Sequence, residues 1–359
     1  MATSSPVSTD RVLLRLQGVD KTFQMGEVSV EALKDVSLDI YAGELLVLAG
    51  PSGSGKSTIL NIVGGLDTAT AGRVWFGDRE MTSFSTAELT AYRRDTVGFV
   101  FQFYNLVPNL SARENVMVST ELSADPMNVD EALRLVGLEE RIDHFPSQMS
   151  GGEQQRVAVA RALSPCPSAL LLDEPFSSLD ADMRSQMRME VLSILRRAKT
   201  TAILVTHDQE EAFSLADRVG VLNKGRLEQL DTPEVIYHRP STIFVARFVG
   251  QADFLTADVS NGRLKTEVGT FTIERSISSP KVRLMVRPDD IKIVPESNGN
   301  AVIIGRDFRG SENLYSIRLG SGQVVRSNRP STAIYPINQR VRTWADMDHL
   351  VTFPCGESE

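Results

Sequence analysis

Residues 50–58 form the stretch Gly50-Pro51-Ser52-Gly53-Ser54-Gly55-Lys56-Ser57-Thr58. The stretch matches G-x-x-x-x-G-K-[ST] and lies between the apolar run Leu45–Ala49 and the helix-like run Lys56–Val63. In that setting glycines let consecutive backbone N–H groups converge on phosphates, while the helix directs its partial positive end at the same anion. We therefore predict that these nine residues bind a nucleoside triphosphate, with Lys56 on the β- and γ-phosphates and Ser57 as a Mg²⁺ ligand.

A second apolar run, residues 169–172, is followed by the acids Asp173 and Glu174. A carboxylate at the carboxyl end of a parallel strand faces the crevice that holds the phosphates. We expect Asp173 to hold Mg²⁺, directly or through water. We expect Glu174 to polarise the water that attacks the γ-phosphate.

The order of elements predicts the fold class of residues 11–240 as an α/β P-loop NTPase, because strand-like and helix-like runs alternate there. The strand candidates are residues 45–49, 97–101, 169–172 and 202–205. The helix candidates are residues 56–63, 87–94, 129–136, 153–163, 181–197 and 209–215. Short β-rich segments follow at 282–286, 291–294, 314–319 and 324–326, with turn residues at 320–322. They predict a small all-β barrel or sandwich over residues 241–359.

Composition limits the class of protein further. The chain has 359 residues, 42% of them hydrophobic and 23% charged, which is typical of a soluble globular chain with two or three domains. No apolar run reaches the roughly 18–20 residues of a membrane-spanning helix. Residues 1–10 lack the features of a secretory signal and are interpreted as a disordered tail. The two cysteines, Cys166 and Cys355, belong to no metal-binding cluster.

The net charge of −8 disfavours nucleic-acid binding, so no nucleic-acid partner is expected. Residues 241–359 contain 15 basic and 13 acidic residues, and the acidic excess therefore belongs to the first 240 residues. This change in composition supports a domain boundary near residue 240.

Residues 150–153 are Ser150-Gly151-Gly152-Glu153, in which Ser150 and Glu153 have the spacing of a capping box. A good helical stretch follows, so this segment is predicted to be a helix N-terminus with close backbone access, which is suited to an anion. The stretch Met149–Arg156, which contains this segment, resembles the signature sequence of the ATP-binding-cassette (ABC) ATPases, a family that also has a phosphate loop and an acid pair of this kind. The resemblance covers nearly all of residues 11–240.

The resemblance implies roles for further residues, as well as an antiparallel β subdomain and a helical subdomain at about residues 103–165. Residues 150–153 would bind the γ-phosphate of a nucleotide held by a partner subunit. Gln102 would contact Mg²⁺ and the attacking water, and His207 would contact the γ-phosphate. Asp180 would lie in the loop that crosses the dimer interface, and Phe23 would stack on adenine.

The family also implies partners. One chain holds one phosphate loop and one signature, so a complete ATP site would need a second copy, arranged head to tail. The dimer would drive multispanning permease subunits from the cytoplasmic face of the cell membrane, with residues 103–110 contacting them. A solute-binding protein would be an indirect partner.

The transported substrate remains open at this stage. Residues 241–359 resemble the TOBE domain appended to importer ATPases for polyamines, sugars, molybdate, sulfate and ferric iron. Segments 308–315, 323–327 and 346–353 are most similar to the ferric-iron branch, so iron import is the first expectation. Segments 25–35 and 101–116 are instead closer to lipoprotein-release and macrolide-export ATPases. A soluble cassette ATPase and a non-hydrolysing regulator are further alternatives, less favoured by the single cassette and by its complete set of motifs.

Overall fold

The computed structural model describes residues 11–273, 277, 279–347 and 349–356. The predicted tail, residues 1–10, lies outside them. The chain divides into two compact units between Pro233 and Glu234, close to the boundary predicted near residue 240. Each unit is described by itself.

The first unit, residues 11–233, contains strands and helices in alternation. Its strands are β1 (Val12–Met25), β2 (Val28–Tyr41), β3 (Leu45–Ala49), β4 (Ala71–Phe76), β5 (Arg79–Glu80), β6 (Val97–Val100), β7 (Ala169–Asp173), β8 (Thr201–Thr206), β9 (Arg218–Asn223) and β10 (Arg226–Asp231). Its helices are α1 (Lys56–Val63), α2 (Thr86–Asp95), α3 (Ala112–Thr120), α4 (Val129–Leu135), α5 (Gly151–Leu163), α6 (Ala181–Ala198) and α7 (Gln209–Leu215), with short 3₁₀ turns at Met81–Ser83 and Pro146–Gln148.

A six-stranded sheet of order β10-β9-β3-β8-β7-β6 forms the centre of this unit. Its strands pair in parallel, except for the antiparallel edge pair β9–β10. Every residue of β3 and β8 is buried, as expected for parallel strands that are covered on both faces. The register pairs Ala49 with Thr206 and Asp173 with Val205, so the loops that follow these strands leave the sheet at one edge.

The antiparallel subdomain implied by the family resemblance is a four-stranded sheet of order β2-β1-β4-β5. Its two longest strands, β1 and β2, have 14 residues each and pair over nearly their whole length. Their buried apolar residues, such as Leu14, Val36 and Ile40, join one core with Ile59 and Leu60 of α1. This core fixes the antiparallel sheet beside the phosphate loop.

Helices α3, α4 and α5 occupy residues 112–163, within the segment predicted to be a helical subdomain. Serine–glutamate capping boxes begin three helices of the unit: Ser85–Glu88 at α2, Ser111–Glu114 at α3 and Ser150–Glu153 at α5. Helix α5 begins at Gly151, two positions before the predicted start, because both glycines belong to the turn that Ser150 caps. The other predicted helices of this unit differ from the observed ones by at most one residue at each end.

The second unit, residues 234–359, begins with two short helices, α8 (Pro233–His238, which starts at the boundary) and α9 (Ile243–Phe248). Its strands are β11 (Asp253–Ser260), β12 (Arg263–Thr266), β13 (Gly269–Thr272), β14 (Lys281–Val286), β15 (Ile291–Pro295), β16 (Ala301–Phe308), β17 (Glu312–Leu319), β18 (Val324–Pro330), β19 (Arg340–Ala345) and β20 (Thr352–Pro354). They form two five-stranded sheets, of order β13-β12-β11-β14-β20 and β15-β19-β16-β17-β18. Both sheets contribute to one apolar core, which includes Leu284, Ile303 and Tyr315.

Among the described residues, no helix is both long enough and apolar enough to cross a lipid bilayer.

Candidate functional site

The loop between β3 and α1 has the backbone shape that an anion cradle requires. Gly55 lies immediately before the helix with φ = 104°, and a Cβ atom there would lie 2.7 Å from the carbonyl oxygen of Ala32. A side chain is therefore excluded both by the left-handed backbone and by the neighbouring strand. Ser52 and Gly53 are exposed, so the concave side of the loop is open to a ligand.

The Lys56 ammonium is held inside this loop. Its Nζ donates to the carbonyl oxygens of Gly50 and Pro51, at 2.8 and 2.9 Å. Burial lowers the pKa of Lys56, although the nearby carboxylates of Glu174 and Asp173 oppose that effect. A phosphate group offers this ammonium a stronger acceptor than two neutral carbonyls do.

The predicted pair of Mg²⁺ ligands is brought together by the fold. The Ser57 hydroxyl lies 3.0 Å from Oδ1 of Asp173, although 116 positions separate the two residues in sequence. Burial raises the pKa of Asp173, and the hydrogen bond to Ser57 partly offsets this effect. Hydroxyl and carboxylate oxygens are the ligands that Mg²⁺ prefers, so this pair fits the predicted ion.

Glu174 has the backbone conformation of a strained residue. Its φ is 44°, in the left-handed region that a glutamate seldom adopts. Its backbone N–H donates to the carbonyl oxygen of Val205 at 3.0 Å, which ties it to β8. The carboxylate consequently projects from the edge of the sheet, where Oε2 lies 3.2 Å from Nδ1 of His207.

The signature segment forms the N-terminus of α5 as predicted. The Ser150 hydroxyl accepts from the N–H of Glu153 at 3.2 Å, and Glu153 Oε2 accepts from the N–H of Ser150 at 2.8 Å. The latter bond lowers the pKa of Glu153, and an ion pair with Arg141 at 3.2 Å holds the same carboxylate. Gly151 is half-buried, whereas Gly152 is buried, and a Cβ atom on Gly152 would lie 2.9 Å from Sδ of Met187.

Asp180 caps the N-terminus of α6, since its Oδ1 accepts from the N–H of Met183 at 2.9 Å. The loop before α6 is hydrogen-bonded to the acid pair: the Ser177 hydroxyl donates to the carbonyl oxygen of Glu174 at 2.9 Å. Leu179 of the same loop is buried against the signature helix, where its Cδ2 lies 3.3 Å from the Cβ position of Gly151.

The two remaining predicted residues occupy different surroundings. Gln102 is half-buried and follows β6, the edge strand next to β7, so it leaves the sheet at the same edge as Asp173. Phe23 lies on β1 with 38% of its surface exposed, and the Nζ of Lys21 lies 4.8 Å from the centre of its ring. An exposed ring is free to receive a base, whereas a core phenylalanine is not.

Two features of the site were not predicted from the sequence. Tyr104 is buried, and its hydroxyl lies 2.8 Å from the Ser178 hydroxyl, which joins the segment after Gln102 to the loop before α6. Buried Arg188 of α6 forms ion pairs with Asp208 at 2.6 Å and Glu211 at 3.4 Å, immediately after His207. No short sequence motif predicts either contact, because each contact joins residues that are at least 20 positions apart in the chain.

Comparison with known proteins places this geometry in a family. The ABC transporter family profile matches residues 33–177, and the TOBE domain profile matches residues 284–353. A sulfate/thiosulfate import ATP-binding protein, CysA, of Xanthomonas campestris pv. campestris is 40% identical over 332 residues, which cover 89% of this chain and 93% of that protein. The chain belongs to the ABC transporter ATPase family.

Other members of the ABC transporter ATPase family are similar over shorter spans. A spermidine/putrescine import ATP-binding protein, PotA, of Lawsonia intracellularis is 40% identical over 295 residues, covering 78% of this chain and 77% of that protein. Among solved structures, a dimeric ATP-binding cassette, MJ0796, bound to ADP and Pi is 38% identical with a TM-score of 0.55, over 61% of this chain and 98% of that chain. The predicted fold class and the prediction of an ATPase are thereby confirmed.

The expectation of a ferric-iron transporter finds no support in the ABC transporter relatives named above. Their names refer to sulfate/thiosulfate import and to spermidine/putrescine import. The segments of residues 308–353 that resembled the iron branch lie largely within the TOBE match, so they identified that domain and not its substrate.

Proposed function

We propose that this chain is the ATP-hydrolysing subunit of a membrane importer, acting as a peripheral protein at the cytoplasmic face of the cell membrane. The observation that carries the proposal is the meeting of Lys56, Ser57, Asp173, Glu174 and His207 at one edge of the central sheet. These are the groups needed to bind a nucleoside triphosphate and to activate water beside it. The names of the relatives support the direction of transport.

In the proposed mechanism, residues 50–58 bind the ATP phosphates and Phe23 stacks on adenine. The Lys56 ammonium exchanges its two carbonyl acceptors for phosphate oxygens. Ser57, Asp173 and Gln102 would hold Mg²⁺, which when bound neutralises charge on the phosphates. Glu174 accepts a proton from water in line with the γ-phosphate, and the imidazole of His207 keeps its carboxylate in place.

The site is completed in this proposal by a second copy of the chain. Ser150, Gly151, Gly152 and Glu153 form an anion-binding helix N-terminus on α5, and Asp180 lies at the start of α6. We infer a head-to-tail dimer in which these residues meet the nucleotide held by the phosphate loop of the other copy. The solved structure of the MJ0796 cassette, which is dimeric and bound to ADP and Pi, supports the formation of a dimer.

The permease subunits would contact residues 103–110, which follow Gln102. Phe103 is 73% exposed and Val107 is 43% exposed, so this segment presents apolar surface next to a catalytic residue. Contact there would let the permease change the position of Gln102. A solute-binding protein on the other side of the membrane would be an indirect partner.

As substrates we propose sulfate and thiosulfate, with a polyamine as the second candidate. The relative named for sulfate/thiosulfate import matches this chain over 89% of its length, and the relative named for spermidine/putrescine import matches over 78%. The match over 89% of the chain is longer than the first unit, residues 11–233, and therefore includes part of the second unit as well.

The test is uptake by cells from which the gene for this chain is deleted. Radiolabelled sulfate, thiosulfate, spermidine and ferric iron are offered separately, and the deletion is complemented with the wild-type chain or with Glu174→Gln. We expect wild-type complementation to restore sulfate and thiosulfate uptake and Glu174→Gln to restore neither. Restoration of spermidine or iron uptake alone would overturn the substrate proposal, and no effect on uptake of any of the four would overturn the importer proposal for these solutes.

A further inference from the structure

Tyr104 lies between two parts of the site that have separate roles in the proposed mechanism: the segment that begins at Gln102 and the loop before Asp180. It follows Gln102 by two positions and is only 8% exposed, although Phe103 beside it is 73% exposed. Its hydroxyl lies 2.8 Å from the hydroxyl of Ser178. The buried ring of Tyr104 is thus hydrogen-bonded to an exposed serine of the loop that precedes Asp180.

The backbone at Tyr104 is held in an uncommon shape. Tyr104 has φ = 56° and Asn105 has φ = 49°, so two consecutive residues with side chains are left-handed. Arg161 of α5 donates to the carbonyl oxygens of both, at 2.7 and 2.6 Å. Such a conformation persists only where surrounding contacts impose it, and here they come from the signature helix.

The loop that contains Ser178 contacts two parts of the proposed ATP site: the acid pair and the signature segment. Ser177 donates to the carbonyl oxygen of Glu174, which precedes Ser178 by four positions. Leu179 packs on Gly151 of the signature segment, and Asp180 caps α6. A displacement of Ser178 therefore moves groups next to the catalytic carboxylate and next to the residues assigned to the partner's nucleotide.

We propose that Tyr104 is a positioning residue whose hydroxyl, bonded to Ser178, couples residues 101–105 to the loop 177–180 and so to the geometry of the ATP-bound dimer. The proposal rests on the proposed function, because it assumes that the loop faces a second copy. The bond joins two segments whose own backbones are fixed, Tyr104 by Arg161 and Ser178 through Ser177. A displacement of one segment consequently displaces the other segment as well.

The test uses the full chain with Tyr104→Phe, Ser178→Ala and the double variant. The matched control is Tyr92→Phe, since Tyr92 is equally buried in the same unit and its hydroxyl donates to the carbonyl oxygen of Val63 at 2.8 Å. Three quantities are measured: kcat and KM for ATP hydrolysis, the Kd of the monomer for a fluorescent ATP analogue, and the protein concentration at which ATP produces dimer in a Glu174→Gln background. Thermal unfolding reports the purely structural effect of each variant.

We expect Tyr104→Phe to lower kcat and to raise the midpoint concentration for dimerisation, each by about fivefold, the size of effect expected for one lost hydrogen bond. The monomer's Kd for the analogue should stay within about twofold, because the groups that bind nucleotide phosphates within one chain are unchanged. Ser178→Ala should have the same effect, and the double variant should be no worse than either single variant. Tyr92→Phe should lower Tm about as much as Tyr104→Phe does, with kcat unchanged.

The inference is overturned if Tyr104→Phe leaves kcat and the dimerisation midpoint at wild-type values. It is equally overturned if the two single effects add up in the double variant, or if Tyr92→Phe lowers kcat as much. Should Tyr104→Phe fail to fold, Ser178→Ala alone decides between the same outcomes. Failure of the proposed function is recognisable separately, because the wild-type chain would then not hydrolyse ATP and the Glu174→Gln chain with Tyr104 and Ser178 intact would form no ATP-dependent dimer.

Discussion

Oε2 of Glu174 lies 3.2 Å from Nδ1 of His207, at the carboxyl ends of the neighbouring strands β7 and β8. The two residues are 33 positions apart, and the parallel register of Asp173 with Val205 sets their separation. The His207 side chain is 56% exposed, whereas that of Glu174 is 23% exposed, so the imidazole lies on the solvent side of the carboxylate. This relationship orients the carboxylate that we propose as the general base.

Replacing that base should stop hydrolysis without preventing nucleotide binding. We expect Glu174→Gln to lower kcat by about 100-fold or more, because a positioned general base contributes roughly that factor. Nucleotide affinity should be retained, since the phosphate-binding loop is untouched, and an ATP-dependent dimer should accumulate in size-exclusion chromatography. The exposed Glu140 provides the control: Glu140→Gln should hydrolyse ATP like the wild type. Wild-type turnover by Glu174→Gln would exclude Glu174 as the base.

The raised pKa of Asp173 predicts how Mg²⁺ dependence changes with pH. Burial favours the protonated carboxyl, which cannot hold the ion, so a lower pH demands more Mg²⁺. We expect the Mg²⁺ concentration for half-maximal hydrolysis to rise as the pH falls towards the raised pKa of Asp173. Asp173→Asn should need more Mg²⁺ at every pH and lose the pH dependence, whereas an unchanged pH dependence in this variant would place the titrating group elsewhere.

The capping box at the signature segment should matter for stability and for dimer formation separately. Ser150→Ala removes an N-cap worth about 1 kcal/mol, which should lower Tm by roughly 2–4 °C. Ser85→Ala removes the same kind of cap from α2 and should lower Tm similarly. Hydrolysis should fall only in Ser150→Ala, because only that helix N-terminus is assigned to the partner's γ-phosphate. Equal activity of both variants would contradict the assignment.

Stability at acid pH should depend on Glu153, whose pKa is lowered in the folded protein. A depressed carboxyl pKa stabilises the fold above the unfolded-state value, and that contribution is lost as the pH falls through the folded-state value. Glu153→Gln keeps an oxygen that can accept from the Ser150 N–H but cannot titrate. We therefore expect its Tm to fall less steeply than that of the wild type in thermal unfolding between pH 6 and pH 3.

Adenine stacking should depend on the exposed ring of Phe23. We expect Phe23→Ala to raise the Kd for ATP by about tenfold, in line with the free energy of stacking one base on an aromatic side chain. Phe23→Trp should bind at least as well as the wild type. Phe308→Ala, which removes another exposed ring, should bind ATP normally, and a weaker affinity there would point to a general effect of removing aromatic surface.

The buried ion-pair network next to His207 predicts a pH-dependent loss of stability. Arg188→Met leaves the Glu211 carboxylate buried without its cation, a change that costs roughly 3–5 kcal/mol when the carboxylate is charged. Burial already raises the pKa of Glu211, so protonation stabilises the folded form as the pH falls. The difference in Tm between variant and wild type should consequently be larger at pH 8 than at pH 5. Arg79→Met, which breaks an exposed pair with Glu88, should show no such difference.

Much of the fold was predictable because local patterns dictate it. The glycine and lysine spacing of residues 50–58 between an apolar run and a helix predicted the nucleotide loop, and the serine–glutamate spacing at Ser150 predicted the capped N-terminus of α5. The bounds of α1 and α7 were predicted without error. The strands of the antiparallel sheet were expected only from the family resemblance, because β1 and β2 contain bulges that interrupt the simple alternation of exposed and buried residues.

The sequence by itself determined which chemical groups we assign to ATP binding and hydrolysis, since the residues of the loop, the acid pair and the signature are encoded by short contiguous patterns. Only the tertiary structure decided which of them meet: Ser57 with Asp173, Glu174 with His207, and Tyr104 with Ser178. Parallel pairing of β3, β7 and β8 brings together residues that are far apart in the chain, and no local pattern records such a register. Contacts of that kind depend on packing across the whole unit, and for this reason the Tyr104–Ser178 bond became visible only in the folded chain.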